Sequence, residues 1–160
     1  MNDFQNIVNE IIAGVTEWEK KFMAFSEKQI SIRRNTQNRN IRQIVGHMAD
    51  SASNNIHRVV HLQYQKSPFL FPNYATYGNN DRWIAIQNYE EENWEMLVQL
   101  WKYLHLHFIH VIQNINPDKL ENEWFADKNV KIKLKEMVED FPHHFKLHIS
   151  EIEDLLNNGL

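Results

Sequence analysis

The chain of 160 residues has no cysteine, and it has only four glycines and four prolines. Without cysteine it can form no disulfide bond, no protein thiolate nucleophile and no sulfur-ligated metal site. A bound metal would need histidine and carboxylate ligands, and thiol chemistry would need a thiol from a substrate. No apolar run approaches the roughly 18 residues of a membrane span, and residues 1–10 lack signal-peptide character. We therefore expect a cytoplasmic protein that is not embedded in a membrane.

Hydrophobic residues make up 42% of the chain and aromatic residues 12%, a composition that argues against disorder. At this length we expect a single domain spanning residues 1–160, large enough to bury a core. The formal net charge of -4 and the pI near 6.1 give no reason to expect binding to nucleic acid or an anionic membrane. The expected partner is a small-molecule substrate.

Apolar residues that recur every three or four positions predict four long helices. These helices span about residues 3–27, 41–64, 88–115 and 132–156. Asp3 is the expected N-cap of the first helix, Asn88 with Glu91 resembles a capping arrangement for the third, and Asn157–Gly159 closes the fourth. No strand is predicted. The fold class that follows is all-α, a four-helix bundle.

The connection between the second and third helices, residues 66–83, is long and rich in aromatic residues. Its prolines and glycine exclude a continuous helix, yet its aromatic residues are too apolar for a solvated linker. We expect it to fold over the bundle, either by plain hydrophobic docking or as a cover for a substrate. The polar stretch 31–40 predicts a solvated loop, with Arg33, Arg34 and Arg39 as alternative anion contacts.

Three of the nine histidines fall within six residues, at His143, His144 and His148. On a helix, His144 and His148 lie on one face, and this i,i+4 spacing can hold a transition metal if a third ligand arrives from another helix. The alternative is a partly buried aromatic and polar seam. Pro142 is expected to kink the fourth helix, either aiming these side chains or being merely tolerated. Glu151 lies where it could accept a hydrogen bond from a ligating imidazole.

The second helix carries His47 beside its apolar stripe, and Asp50, Ser51 and Asn54 continue a polar edge at helical spacing. An inward polar seam on an amphipathic helix indicates a lined cavity. The alternative is one core histidine next to surface residues.

Two further pairs of histidines have helical spacing: His57 with His61, and His107 with His110. His61 lies about 21 Å beyond His47 along the helix, so these two residues cannot share a metal. We expect the first pair on a solvent face. The second pair, with His105, is expected at the surface or the helix end, although it stays a distant alternative metal site.

Two segments resemble motifs of the DinB/YfiT-like superfamily. Ile44–Ser51 (IVGHMADS) is similar to its helix-two signature, a histidine followed by a small, apolar and acidic pattern. His144–Ile152 (HFKLHISEI) is similar to its closing motif of two histidines at i,i+4. The two motifs occur in the order and at the distance typical of the superfamily. Together with the four-helix pattern, the resemblance extends over nearly the whole chain. The chain departs from the pattern in two places, because Glu151 replaces a common glutamine and Pro142 is unusual in that helix.

The resemblance implies a four-helix bundle, often dimeric, with a three-histidine site for a divalent metal at the base of a cleft. By motif, the ligands are His47, His144 and His148, while His143 points about 100° away from His144 and is a bystander. Zinc, nickel and iron all suit imidazole ligands, so the identity of the metal stays open. Asp50 is a candidate for orienting a ligand or handling a proton, and the alternative is an ordinary exposed acid.

Three imidazoles leave a coordination position open, which is the mark of a reactive metal site. Water at that position would give a hydrolase, and a thiol would give a transferase or isomerase. The resemblance implies the thiol route more strongly, because characterised members of the superfamily include transferases and isomerases that use low-molecular-weight thiols. A metal-stabilised bundle that binds a partner or small ligand without turnover is the non-enzymatic alternative.

Overall fold

The structure, a computed structural model, describes residues 4–157. Within that range it has six α-helices: α1 Gln5–Met23, α2 Glu27–Ser31, α3 Ile41–Tyr64, α4 Asn79–Gln87, α5 Trp94–Gln113 and α6 Leu134–Asn157. Between α5 and α6 lie a 3-10 turn and an antiparallel hairpin of two strands, β1 Glu123–Asp127 and β2 Val130–Lys133. None of the described helices is long and apolar enough to cross a membrane.

The four long helices, α1, α3, α5 and α6, form the predicted four-helix bundle. α1 packs against α5 and α6, and α3 packs against the same two helices, so α1 and α3 lie at opposite corners. Their apolar stripes meet in one core, whose largest fully buried side chains include Phe22, Trp101 and Phe108. The contact between α3 and α6 sets the two helices that carry the predicted metal ligands side by side.

The limits of α3 agree with the sequence prediction at both ends. The Asn40 side chain accepts a hydrogen bond from the Gln43 amide at 3.0 Å, and the Gln43 side chain accepts one from the Asn40 amide at 3.0 Å. This reciprocal capping box satisfies two backbone groups that would otherwise lack partners at the first turn. α3 therefore starts at a defined residue, which fixes the position of the polar seam that follows.

The first helix is shorter than predicted. It ends at Met23 rather than near Glu27, because Ser26 and Gln29 form a second capping box that starts the separate helix α2. The Ser26 amide donates to the Gln29 side chain at 2.8 Å. The terminal caps expected from the sequence, Asp3 and Asn158–Gly159, lie outside the described residues.

The third long helix also begins later than predicted. Asn88 and Glu91 do not cap it, because α5 starts at Trp94 with Asn93 as its N-cap. The Asn93 side chain accepts a hydrogen bond from the Met96 amide at 3.0 Å. Asn88 instead ends α4 with a positive φ of 51°, a left-handed conformation that asparagine tolerates better than most residues.

The aromatic connection after α3 packs on the hairpin. The Phe69 amide donates to the Glu123 carbonyl at 3.0 Å, and the Phe125 amide donates to the Phe69 carbonyl at 3.1 Å. The Phe71 ring lies edge-on to Trp124 with 6.0 Å between the ring centroids. The prediction of a non-helical segment through residue 83 is wrong at its end, because α4 begins at residue 79.

The hairpin itself corrects the prediction that the chain has no strands. Its strands have five and four residues, too few for a visible period of two. The pair is marginal alone, and it is held by the aromatic connection and by Trp124, which is buried in the core. Long-range packing, rather than local sequence preference, therefore decides its conformation.

The arginines of the stretch 31–40 contact protein groups. Arg33 donates to the carbonyls of Leu155 and Leu156 at 2.7 and 2.9 Å, at the negative end of the α6 dipole. The remaining pairs are Arg34 with Glu90 and Arg39 with Asp81. These contacts account for the three guanidinium groups without an external anion.

Candidate metal centre

The structure brings His47, His144 and His148 together. His47 lies on α3, and the other two lie one turn apart on α6, which continues through Pro142. Each histidine offers one ring nitrogen, and these nitrogens all lie within 4.8 Å of one another. His47 and His148 are only 5% exposed. Three side chains from two helices thus converge on one point.

The Nδ1 atoms of two of these histidines already have hydrogen-bond partners. His47 Nδ1 lies 2.9 Å from the Tyr74 hydroxyl, which in turn donates to the His47 carbonyl at 3.4 Å. Metal binding through Nε2 of His47 requires the tautomer in which Nδ1 donates its proton to this hydroxyl. His148 Nδ1 lies 2.9 Å from Glu151 Oε2 and donates to that carboxylate. In a neutral His148 the contact with Glu151 leaves the lone pair on Nε2, the tautomer needed for metal binding through that atom.

The charge state of the cluster also suits ligation. Burial, reinforced by the neighbouring His148, lowers the pKa of His47 to about 2. The same two causes lower the pKa of His144 to about 4. The hydrogen bond from His148 lowers the pKa of the Glu151 carboxyl, which stays ionised at neutral pH. His47 and His144 are therefore neutral at neutral pH, and the Glu151 carboxylate lies behind His148.

The residues present fit a metal ion. His148 Nε2 and His144 Nε2 lie 3.1 Å apart. Adjacent nitrogen ligands of a tetrahedral site with bonds of about 2.0 Å lie roughly 3.3 Å apart, so this separation suits two ligands of one ion. Without an ion it is the length of a hydrogen bond between the two imidazoles. Three imidazole nitrogens match borderline divalent cations better than calcium or magnesium, which prefer oxygen.

Asp50 lies one turn beyond His47 and is buried, so the alternative of an ordinary exposed acid is wrong. Its Oδ1 accepts hydrogen bonds from the Tyr89 hydroxyl and the Gln87 amide, both at 2.7 Å. Burial raises the pKa of Asp50. The Tyr89 ring lies so close to Gly46 that a Cβ there would come within 2.2 Å of it, so glycine is required. Asp50 thus fastens α4 and its following turn to α3 beside His47.

The other histidines do not join the cluster. His143 is exposed, in agreement with its prediction as a bystander. His107 and His110 are exposed as expected. The expectation of a solvent face for His57 and His61 is wrong for His61, which is half-buried against Phe69.

His105 corrects the sequence prediction of a surface or helix-end residue. It is 1% exposed, and its Nδ1 lies 2.7 Å from the Trp101 carbonyl. Its ring packs on Phe141 and Phe145, with centroid distances of 5.7 and 5.4 Å. Burial lowers the pKa of His105 to about 4. Its position four residues after Trp101 and three before Phe108, on the apolar stripe, was the signal for burial.

A cleft of about 440 Å³ opens beside the histidines, a volume suited to a small molecule. His47 and His144 line one part of it, and Ser51, Asn55 and Arg58 continue along the same side of α3. The predicted polar seam is therefore present only in part, because His47 and Ser51 line this cleft whereas Asp50 and Asn54 do not. The sequence reasoning missed Tyr74, Asn55 and Arg58. Only the last two carried a signal, since they repeat the helical spacing from His47.

Neither a protein-family model nor a curated protein matches the chain. Among solved structures, it resembles YfiT from Bacillus subtilis, described as a probable metal-dependent hydrolase with an unusual four-helix bundle topology. The identity is 17% and the TM-score 0.78, over 97% of this chain and 87% of that chain. It also resembles the mycothiol-dependent maleylpyruvate isomerase at 10% identity and a TM-score of 0.75, over 93% of this chain but only 60% of that chain.

These comparisons establish the fold. The chain shares its fold with both structures, and the YfiT description of a four-helix bundle agrees with the predicted fold class. Because the sequence identities are this low, no residue role can be transferred from these structures to this chain. The chemistry of the site must therefore be argued from the side chains of this protein.

Proposed function

We propose that this protein of DinB/YfiT-like fold is a divalent-metal-dependent enzyme whose ligands are His47, His144 and His148. The observation that supports this most strongly is the convergence of three imidazoles, two of them buried and His144 half-buried, from two helices at the edge of an open cleft. We further propose that it transfers or isomerises a small substrate with a low-molecular-weight thiol. Hydrolysis is the second candidate reaction.

Two of the three ligands are held by partners of different kinds. Glu151 orients His148 through an ionised acceptor, which also increases the basicity of the imidazole. Tyr74 orients His47 from the aromatic connection rather than from the bundle. A bound divalent cation would supply a Lewis acid at the position that three imidazoles leave open, lowering the pKa of a water or thiol there.

Each reaction has its own support. A thiol-dependent isomerase and a probable hydrolase are both among the structures with this fold. The protein lacks cysteine, so the thiol route requires a thiol that enters the cleft. A role for Asp50 in proton handling stays a proposal, and Asp50 is not among the residues that line the cleft. A homodimer and a cytoplasmic location also stay predictions.

The first experiment is metal analysis of protein purified without chelator or histidine tag. We expect close to one divalent ion per chain in the wild type, and loss of that ion in His47→Ala and His144→Ala. Unchanged metal content in both variants would exclude the shared site.

The second experiment separates an enzyme from a binding protein. Metal-loaded protein is screened with low-molecular-weight thiols and electrophiles, and separately with esters and amides. Thiol-dependent turnover that disappears in His144→Ala supports the transferase or isomerase, and thiol-independent turnover supports the hydrolase. Stoichiometric metal with higher thermal stability but no turnover supports the non-enzymatic alternative.

A further inference from the structure

Three arginines of the chain are buried: Arg39, Arg42 and Arg58. The first two have carboxylate partners, since Arg39 pairs with Asp81 and Arg42 pairs with Glu27, each at 2.6 Å. Arg58 has no carboxylate partner among residues 4–157. Its one protein hydrogen bond there is to Asn55 Oδ1 at 3.0 Å. The buried guanidinium therefore lacks a counter-ion.

The guanidinium of Arg58 lies over the Trp124 ring, 4.3 Å from its centroid. A cation over an aromatic face is stabilised, but this does not neutralise its charge. Burial lowers the pKa of Arg58 to about 10, so it remains protonated at neutral pH. An uncompensated charge at 7% exposure is costly, and a protein retains it most readily where a ligand supplies the opposite charge.

Arg58 shares the cleft with the histidine cluster. It follows His47 by eleven residues, which returns it to the same face of α3 about 16 Å further along the axis. Helical side chains lean toward the N-terminus, so the guanidinium extends back toward His47. A small molecule lying along α3 could touch both ends of the seam at once.

The charges around the cleft favour an anion with a single charge. One guanidinium lines it on the α3 side, while Glu136 and the exposed Asp140 line it on the α6 side. A dianion such as phosphate would face one cation and two acids. A carboxylate needs only the planar pair of donors that arginine offers. Apolar side chains from Trp124, Ile132 and Met137 suit an apolar body attached to that carboxylate.

We propose that Arg58 binds the carboxylate of a small organic acid that lies in the cleft, with the reacting end of the acid at His47, His144 and His148. The reaction part of this inference rests on the proposed function. The binding part does not, because Arg58 presents its charge whether or not a metal is present.

The test uses benzoate, with benzamide as its neutral counterpart and inorganic phosphate as the alternative anion. Binding is measured by calorimetry on metal-loaded and metal-free protein, since benzoate can also contact a metal directly. The variants are Arg58→Met and Arg58→Lys, with Arg34→Met as the matched control on an exposed ion pair. We expect benzoate to bind the wild type about ten-fold or more tightly than benzamide or phosphate.

Arg58→Met should weaken benzoate binding about ten-fold or more in both metal states, Arg58→Lys should weaken it less, and Arg34→Met should leave it unchanged. Arg58→Met should also keep or raise the melting temperature, because it removes an unpaired buried charge. The proposal is overturned by wild-type protein that does not prefer benzoate, or by Arg58→Met that retains its affinity. Marked loss of stability with unchanged binding would assign Arg58 a structural role.

The outcomes separate this inference from the proposed function. Stoichiometric metal without Arg58-dependent benzoate binding would support the metal centre and exclude the carboxylate site. Arg58-dependent benzoate binding without stoichiometric metal would support the carboxylate site and exclude the metal centre.

Discussion

The histidine pairs His57/His61 and His144/His148 have the same i,i+4 spacing but different surroundings. In the first pair the rings are stacked, with centroids 6.3 Å apart and planes at 22°. In the second pair the centroids are 4.5 Å apart, the planes are at 81°, and the two Nε2 atoms are 3.1 Å apart. Spacing along a helix therefore brings two imidazoles close without deciding how they face each other.

The difference comes from what lies around each pair. His61 lies parallel to the Phe69 ring at 7°, and its Nδ1 contacts the Tyr64 hydroxyl at 2.7 Å, so the ring serves as a packing surface. His148 instead faces His47 from another helix, with 4.7 Å between the ring centroids. A neighbouring helix that contributes a third imidazole distinguishes a candidate metal site from an aromatic contact.

The largest expected effect is on metal content. His148→Ala should abolish stoichiometric metal, as should the two ligand variants described above, because two imidazoles hold a transition metal far more weakly than three. The double variant His57→Ala/His61→Ala is the matched control and should retain the metal. Metal lost from that control, measured by elemental analysis, would show that the pair on α3 is the site.

The second effect is on metal affinity through Glu151. Glu151→Ala removes the acceptor that holds His148 and should weaken binding about 10- to 100-fold. Glu151→Gln keeps an acceptor but loses the charge, so its affinity should fall between those of the wild type and the alanine variant. Competition with a chromogenic chelator measures each constant. An alanine variant equal to the wild type would contradict the role of this carboxylate.

The third effect is on the stability of the metal-free protein in acid. The unfolded chain takes up a proton at each histidine near pH 6.5, whereas folded His144 and His47 resist protonation until about pH 4 and 2. The unfolded state therefore binds more protons in that window, and the free energy of unfolding falls as the pH falls, by about 1.4 kcal/mol per pH unit for each histidine.

Denaturant unfolding between pH 7 and 4 measures this slope. His144→Asn should flatten it, and His57→Asn/His61→Asn controls for the loss of histidines as such. An unchanged slope in His144→Asn would show that its burial does not control protonation.

The smallest expected effect is on metal affinity through Tyr74, with Tyr64 as the comparison. Tyr74→Phe removes a neutral hydrogen bond to His47, worth about 1 kcal/mol, and should weaken metal binding about five-fold. Tyr64→Phe removes the equivalent bond to His61 and should change nothing in the same chelator competition. Equal losses in both variants would point to a general effect on folding.

Much of the bundle could be predicted because helical periodicity is local. The limits of α3 and the approximate span of α6 follow from apolar spacing and, for α3, a capping box. The early end of α1, the late start of α5 and the hairpin depend on which of several competing caps and turns is selected by packing. Asn88 shows this most clearly, since the same residue type that caps a helix start also ends a helix in the left-handed region.

The site, like the fold, could be predicted only in part. The three histidines could be grouped from their motifs, and the structure brings them together. Tyr74 could not be found, because it reaches His47 from an aperiodic segment that no pattern orients. The missing counter-ion of Arg58 was equally hidden, because a sequence shows charges but not which of them meet.

The separation of the ligands along the chain has a consequence for folding. His47 precedes His144 by nearly a hundred residues, so only two of the three proposed ligands, His144 and His148, are close together in the unfolded chain. The complete site exists only after α3 and α6 have docked. Because these helices are far apart in sequence, we expect their contact to form late in folding. An interaction absent from the transition state slows unfolding without accelerating folding. A metal ion added during refolding would therefore leave the folding rate unchanged and lengthen the lifetime of the native state.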